Sequence, residues 1–176
     1  MFLKGFKEKS NKKIINSLLK SREVFVDESK IEHLGVLLHV NEFEDFEAFR
    51  KLATSLNVLP NKLKIVAFTD NEKEQPNFWE VCFNPKDFGW KGTIHNVELQ
   101  TFLDTKFDAL ISYYCNELTE LKLITAMSKA KFKIGILQSD ERLNDLIIKT
   151  EVGKFDLFKK ELIKYLTIFN KIKHAK

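Results

Sequence analysis

The sequence predicts an α/β fold, a single three-layer sandwich built on a mostly parallel sheet with basic helices at its N- and C-terminal ends. Three observations predict it. The apolar runs "HLGVLLHV", "DALISYY" and "FKIGILQ" are of strand length and nearly continuous, as in strands covered on both faces rather than one. Segments with apolar residues at helical spacing lie between such runs, so strand and helix alternate along the chain. The 176 residues, 44% of them hydrophobic and 31% charged, match a globular domain with one core and do not match a disordered chain.

The elements follow in order. Residues 1–22 bring Leu3, Phe6, Ile14, Ile15, Leu18 and Leu19 near one helical face and keep most lysines off it, which predicts a basic amphipathic helix broken near Ser10 and Asn11. His33–Val40 is the first buried strand. Glu44–Asn57 gathers Phe46, Phe49, Leu52, Ala53 and Leu56 on a helical stripe, Pro60 and Asn61 mark a turn, and Lys62–Asp70 is the second strand. Phe78–Phe83 reads as an edge or extended segment. After the loop "NPKDFGWKGTI" (Asn84–Ile94), Asn96–Thr105 carries an Asn cap and a short helical pattern. Asp108–Tyr114 is a strand, Asn116–Ala130 a helix and Phe132–Gln138 a strand. Gln138–Thr150 is expected to form a short helix that closes the sheet edge. Lys154–Ile172, with Phe155, Phe158, Leu162, Tyr165, Leu166 and Phe169 at helical spacing, ends the chain as a second basic helix. Right-handed crossovers between such strands make the sandwich Rossmann-like.

Charge is distributed unevenly. Residues 1–22 carry six lysines and Arg22 against Glu8, a net +6, and residues 154–176 carry seven lysines against Asp156 and Glu161, a net +5. The stretch between them has 15 basic and 22 acidic residues, a net −7. The organisation expected is a basic N-terminal helix over 1–22 followed by one α/β domain over 23–176. Lys4, Lys7, Lys9, Lys12, Lys13 and Lys20 are the candidate residues for an anionic partner, either RNA or the ribosome, or anionic lipid. A solvated lysine face is the alternative. Cys82 and Cys115 have no metal-type spacing, which suits reduced thiols of a cytoplasmic protein. The N-terminal stretch lacks the apolar core of a secretory signal, and no apolar run reaches membrane-spanning length.

Neither a G-x-G-x-x-G turn nor a Walker-type G-K-[ST] is present, so no cofactor is expected. His33, His39 and His174 are scattered and suggest no metal site. His95 reads as a cap or surface residue rather than a general base. In an open α/β sheet a ligand crevice lies beyond the carboxyl ends of the strands. Those ends supply Asn41, Glu42, Asp70, Tyr114, Asn116, Ser139, Asp140 and Arg142 as candidate ligand-binding residues; polar strand ends that merely meet water are the alternative. Cys115, ahead of a helix start, is a minor candidate for a thiol of lowered pKa. In the loop 84–94, Phe88 and Trp90 are expected to be buried as a structural plug, with Gly89 or Gly92 at positive φ. The other reading of Trp90 is a flat wall on the crevice.

The segment "FDALISYYCNELTELKLITAMSKAKFKIGI" (Phe107–Ile136) resembles the strand–helix–strand unit in the N-terminal half of heptosyltransferase-type glycosyltransferases. Taken together, "KDFGWKGTI", "FDALISYY", "SKAKFKIG" and "RLNDLII" resemble a domain-of-unknown-function family of the Bacteroidota, small cytoplasmic proteins. The first resemblance implies a Rossmann-like fold and a nucleotide or sugar-phosphate ligand. It carries no catalytic residue, because the transferases' acidic residue sits in a Gly-Asp step where this chain reads "HVNEFEDFEAF", so Glu42, Glu44 and Asp45 inherit no role. The expected function is a noncatalytic binding or adaptor module that docks through its basic terminal helices on a ribonucleoprotein or on the inner membrane surface. The alternative is a small-ligand-binding or transferase-like domain.

Overall fold

The computed structural model describes residues 2–24, 27–71 and 81–173. Among the described residues six strands form one sheet: β1 (Leu34–His39), β2 (Leu63–Phe68), β3 (Val81–Phe83), β4 (Ala109–Tyr113), β5 (Phe132–Ile136) and β6 (Leu146–Ile148). Their order is β3-β2-β1-β4-β5-β6 and every described pairing is parallel. This is the doubly wound order, in which the chain reverses direction of growth between β1 and β4 and opens a crevice beyond their carboxyl ends.

Period-two alternation divides each strand between two cores. Val36, Leu38, Ile65, Ala67, Ile111, Tyr113, Ile134 and Ile136 face α2 (Phe46–Ser55) and α5 (Phe155–Ile168), whose Phe49, Leu52, Phe158 and Leu162 complete that layer. Leu37, Val66, Phe68, Leu110 and Tyr114 face the other way, onto α1 (Phe2–Ser21), α3 (Val97–Asp104) and α4 (Thr119–Met127). The central strands are buried along their whole length, which is why their sequences show no polar alternation. Helix starts are set by side chains that satisfy free backbone donors: Asp45 accepts from Ala48 N at 3.0 Å, and Asn96 accepts from Glu98 N and Leu99 N at 3.0 Å each.

Several expectations are corrected. The helix expected over Gln138–Thr150 is a 3-10 turn at Glu141–Leu143 followed by β6. Asp145 decides this: its N–H donates to Lys133 O at 2.7 Å and its carboxylate accepts from Lys133 N at 2.7 Å, which lays Leu146–Ile148 alongside Ile134–Ile136. α4 begins at Thr119, not Asn116, because Asn116 and Glu117 are engaged across the sheet end as described below. α1 is continuous through Ser10 and Asn11. Its apolar face is narrower than expected: Ile15 and Leu19 are buried, whereas Leu3 and Phe6 are 74% and 56% exposed. Of the expected extended segment Phe78–Phe83, Val81–Phe83 form β3 and the remainder lies outside the described residues, as does His174.

Candidate functional site

The crevice between β1 and β4 is closed by the protein's own carboxylate. Past β1 the chain turns back at Val40–Glu42, with Glu42 N and Phe43 N donating to His39 O. This aims the Glu42 side chain across the reversal point, where it accepts from Asn116 N at 2.9 Å and Cys115 N at 3.1 Å. His39, 1% exposed, places Nδ1 3.0 Å from the same carboxylate. Its Nε2 lies 3.3 Å from Asp70 Oδ2, within ion-pair reach but without hydrogen-bond alignment. Asn41 Oδ1 accepts from Asp70 N at 3.3 Å and so ties the ends of β1 and β2 together.

Beyond β4 and β5 a second pair of contacts closes the rim. Glu117 accepts from Ser139 N at 2.9 Å and from Ser139 Oγ, with Lys122 Nζ at 3.5 Å. Burial works upward on the Glu117 carboxyl, but the Ser139 bonds and the Lys122 charge outweigh it and hold it below its ordinary value. Arg142 forks onto Asp140 at 2.7 and 2.9 Å, and its guanidinium holds that carboxyl below the usual range. The Arg142 charge is therefore already matched. Tyr114 does not reach the rim: it is wholly buried, its hydroxyl within 2.9 Å of Thr125 Oγ1. The strand's alternation turns it inward beneath α4.

Cys115 is likewise not at a helix start, since the N-cap position of α4 is Leu118, three residues on. Burial, with Glu42 and Glu151 nearby, pushes its thiol up rather than down, and burial pushes Cys82 up to about 11.

The loop 84–94 and α1 build one wall together. Asn11, 3% exposed, donates to Gly89 O at 3.2 Å and accepts from Gly92 N at 2.9 Å. Lys7 Nζ donates to Phe88 O at 3.1 Å and Pro85 O at 3.3 Å. Because the Asn11 side chain serves the loop and not its own helix backbone, α1 runs through it unbroken. Gly92 sits at φ +76, and a Cβ there would lie 3.3 Å from Ile14 Cγ2, so the tight approach of loop and helix requires glycine. Phe88 is 2% exposed and packs on Phe83 and Phe68. Trp90 is a correction: it is 47% exposed and is no plug. Phe88 alone fills the space under the loop, and the 3-10 turn Trp90–Gly92 throws the indole outward.

The indole borders a cleft of about 940 Å³ that runs between α1 and the carboxyl ends of the strands. Lys4, Lys7, Lys12 and Glu8 of α1 line one side, and Asp70, Glu117, Glu120, Asp140 and Lys122 line the other. Two groups of residues that sequence treats as separate, the strand-end polar residues and the N-terminal lysines, thus share one cleft. Of the eight strand-end candidates only Asp70 and Asp140 line it. Asn41, Glu42, Asn116, Ser139 and Arg142 act behind it, as struts. Glu117 lies within the strand-end stretch Tyr113–Glu117 that the sequence points to, whereas Asn11 is an addition that sequence reading missed. A polar residue standing at i−4 and i−8 from the buried Ile15 and Leu19 was the available signal for Asn11. Among the described residues no three His, Cys, Asp or Glu side chains gather as a metal would require.

The sequence profile of a family of unknown function (DUF6913) matches residues 7–169. The chain belongs to that family. No curated protein and no solved structure matches it.

In this DUF6913 chain the two basic ends are used differently. At the C-terminal end Lys154, Lys164 and Lys173 pair with Glu151, Glu161 and Glu32, and Lys171, 2% exposed, donates to the carbonyl of Asp27. Part of that charge is thus taken up within the protein, while Lys160 of α5 is exposed. In α1, Lys12 pairs with Glu8 at 2.6 Å and Lys7 serves the loop, while Lys9, Lys13 and Lys20 are exposed on the side away from Asn11, Ile15 and Leu19. No helix is long and apolar enough to cross a membrane among the described residues.

Proposed function

We propose that the protein is a binding module whose cleft takes a small ligand with an anionic group at one end and hydroxyls at the other, of the nucleotide or sugar-phosphate kind. The observation that supports this reading is the make-up of the cleft: mainly ammonium groups on the α1 side, where Glu8 pairs with Lys12, mainly carboxylates on the strand side, where Lys122 pairs with Glu117, and a half-exposed indole at its border. Lysine ammonium groups suit phosphate oxygens, carboxylates accept from sugar hydroxyls, and a flat indole packs on a sugar or base face. The cleft volume is in the range of small-molecule sites. A noncatalytic role is favoured by the engagement of Glu117 and Asp140 with Ser139 and Arg142, and by the raised thiols.

A fluorescence titration with Trp79 replaced by Phe, so that Trp90 is the reporter, tests the reading against nucleotides, sugar phosphates and their dephosphorylated counterparts. A phosphorylated ligand at a hundred times its dissociation constant stabilises the fold by about 3 kcal/mol. Silence of both Trp90 and the thermal melt across the whole panel would sink it.

A second reading rests on a different observation, the exposed lysines on the outer side of α1. It is that the module docks in the cytoplasm on an anionic partner, a ribonucleoprotein or the inner membrane surface. Salt-sensitive binding to such a partner is its test.

A further inference from the structure

We infer that the outer face of α1 seats on an anionic lipid bilayer, with Leu3 and Phe6 entering the interface and Lys9, Lys13 and Lys20 meeting the headgroups. The inference rests on the second reading above and names its partner. Phe6, Lys9, Lys13 and Lys20 recur at spacings of three, four and seven, which places them on one stripe of a helix. All four are exposed, Phe6 by 56%, and Leu3, one turn earlier at the border between this stripe and the cleft, by 74%. The opposite stripe, Asn11, Ile15 and Leu19, is buried against the body. The helix is therefore held with this stripe outward and pays no folding cost on docking.

Charge gives the orientation. The helix has a single carboxylate, Glu8, already paired with Lys12, whereas the stretch 23–153 carries a net −7 that an anionic surface repels. The α1 side therefore approaches such a surface more favourably than the acidic stretch does.

The apolar pair decides between partners. Leu3 and Phe6 are neighbours at i and i+3, at the start of the same helix that carries the lysines. Hydrocarbon at the headgroup boundary accepts both side chains, and a polybasic stripe plus an apolar wedge is the two-signal arrangement that reversible interfacial binding needs. An RNA surface offers nothing for Leu3. The stripe also lacks arginine, whose fork recognises phosphates with defined geometry, and so offers point charges of the kind that suffice for a diffuse headgroup layer.

The test is cosedimentation of the full chain with vesicles of phosphatidylglycerol and phosphatidylcholine, with phosphatidylcholine alone as control. Wild type is expected to pellet only with the anionic vesicles and to be released by salt. Replacing Lys9, Lys13 and Lys20 by Ala lowers partitioning by roughly a hundredfold, about fivefold for each lysine. The pair Leu3→Ser and Phe6→Ser weakens binding further at moderate salt, where electrostatics is screened. All five positions are exposed, so thermal melts of these variants should match wild type, which separates lost binding from lost folding. Failure of wild type to pellet with anionic vesicles overturns the inference. If a homopolymeric RNA binds in its place, docking on an anionic partner stands and the lipid assignment falls; if neither binds, both fall. Equal binding by wild type and the Leu3/Phe6 pair also overturns it.

Discussion

Lys133 is the second residue of β5 and is 3% exposed, with its ammonium donating to Thr125 O at 2.7 Å and Ala126 O at 3.3 Å, carbonyls in the last turn of α4. The neighbouring Asp145 carboxylate is taken by Arg22 at 2.6 Å, so the amine has carbonyls rather than a counterion. Burial, aided by the nearby Arg22 charge, pushes its pKa down to about 8. The unfolded chain holds its lysine proton up to ~10.4. Between these values the unfolded state binds more protons, so stability rises with pH there, and below about pH 8 the native state bears the whole cost of the buried charge. The gap between the two values corresponds to about 3 kcal/mol. Lys133→Met removes this dependence while leaving two α4 carbonyls without their donor.

The expected outcome is a stability difference, wild type minus Lys133→Met, that grows in favour of wild type by about 3 kcal/mol from pH 7 to pH 10.5. Urea unfolding at half-unit pH intervals measures it. Tyr113, Tyr114 and Cys82, all raised by burial, act in the opposite direction at high pH, because the unfolded chain loses those protons first. They titrate in both proteins and cancel in the difference. A difference curve that stays flat across this window refutes the account of Lys133.

Trp90→Ala should cost only about 1–2 kcal/mol in a thermal melt, well below the ~3–5 kcal/mol of a fully packed aromatic, because nearly half of the indole is in solvent; a larger loss would mean that the ring is buried after all. Asn11→Ala leaves Gly89 O and Gly92 N without their partner at a buried contact and should cost about 2–4 kcal/mol in urea unfolding. An unchanged midpoint would show that α1 is not fastened through this residue. Alkylation by iodoacetamide at pH 8, followed by mass spectrometry, should be slow at both cysteines. At Cys82 only roughly one molecule in a thousand is thiolate at that pH, and rapid modification at either position contradicts the placement.

The strand–helix alternation was legible in the sequence because each central strand is covered on both faces and so reads as an unbroken apolar run. Periodicity also located α2, α3 and α5 to within a few residues, since their buried stripes consist of large apolar side chains. The Phe88 anchor and the positive φ at Gly92 were legible from local chemistry for the same reason. Where a polar side chain decides the outcome, the pattern failed. Leu146–Ile148 is a strand and not a helix because Asp145 reaches back to Lys133, a partner twelve residues away. The start of α4 is set by Glu42, whose carboxylate holds Asn116 N from 74 residues away. Trp90 is exposed, although its neighbours gave every sign of a packed pair, because the direction of an indole on a tight turn depends on which side of the turn the helix lies. Most of all, the N-terminal lysines and the strand-end carboxylates share a cleft only because Asn11 and Lys7 fasten α1 to the loop 84–94 about eighty residues later. Hydrophobic periodicity is a local property and survives in one dimension. The meeting of polar groups is fixed by chain crossings, and those exist only once the sheet has formed.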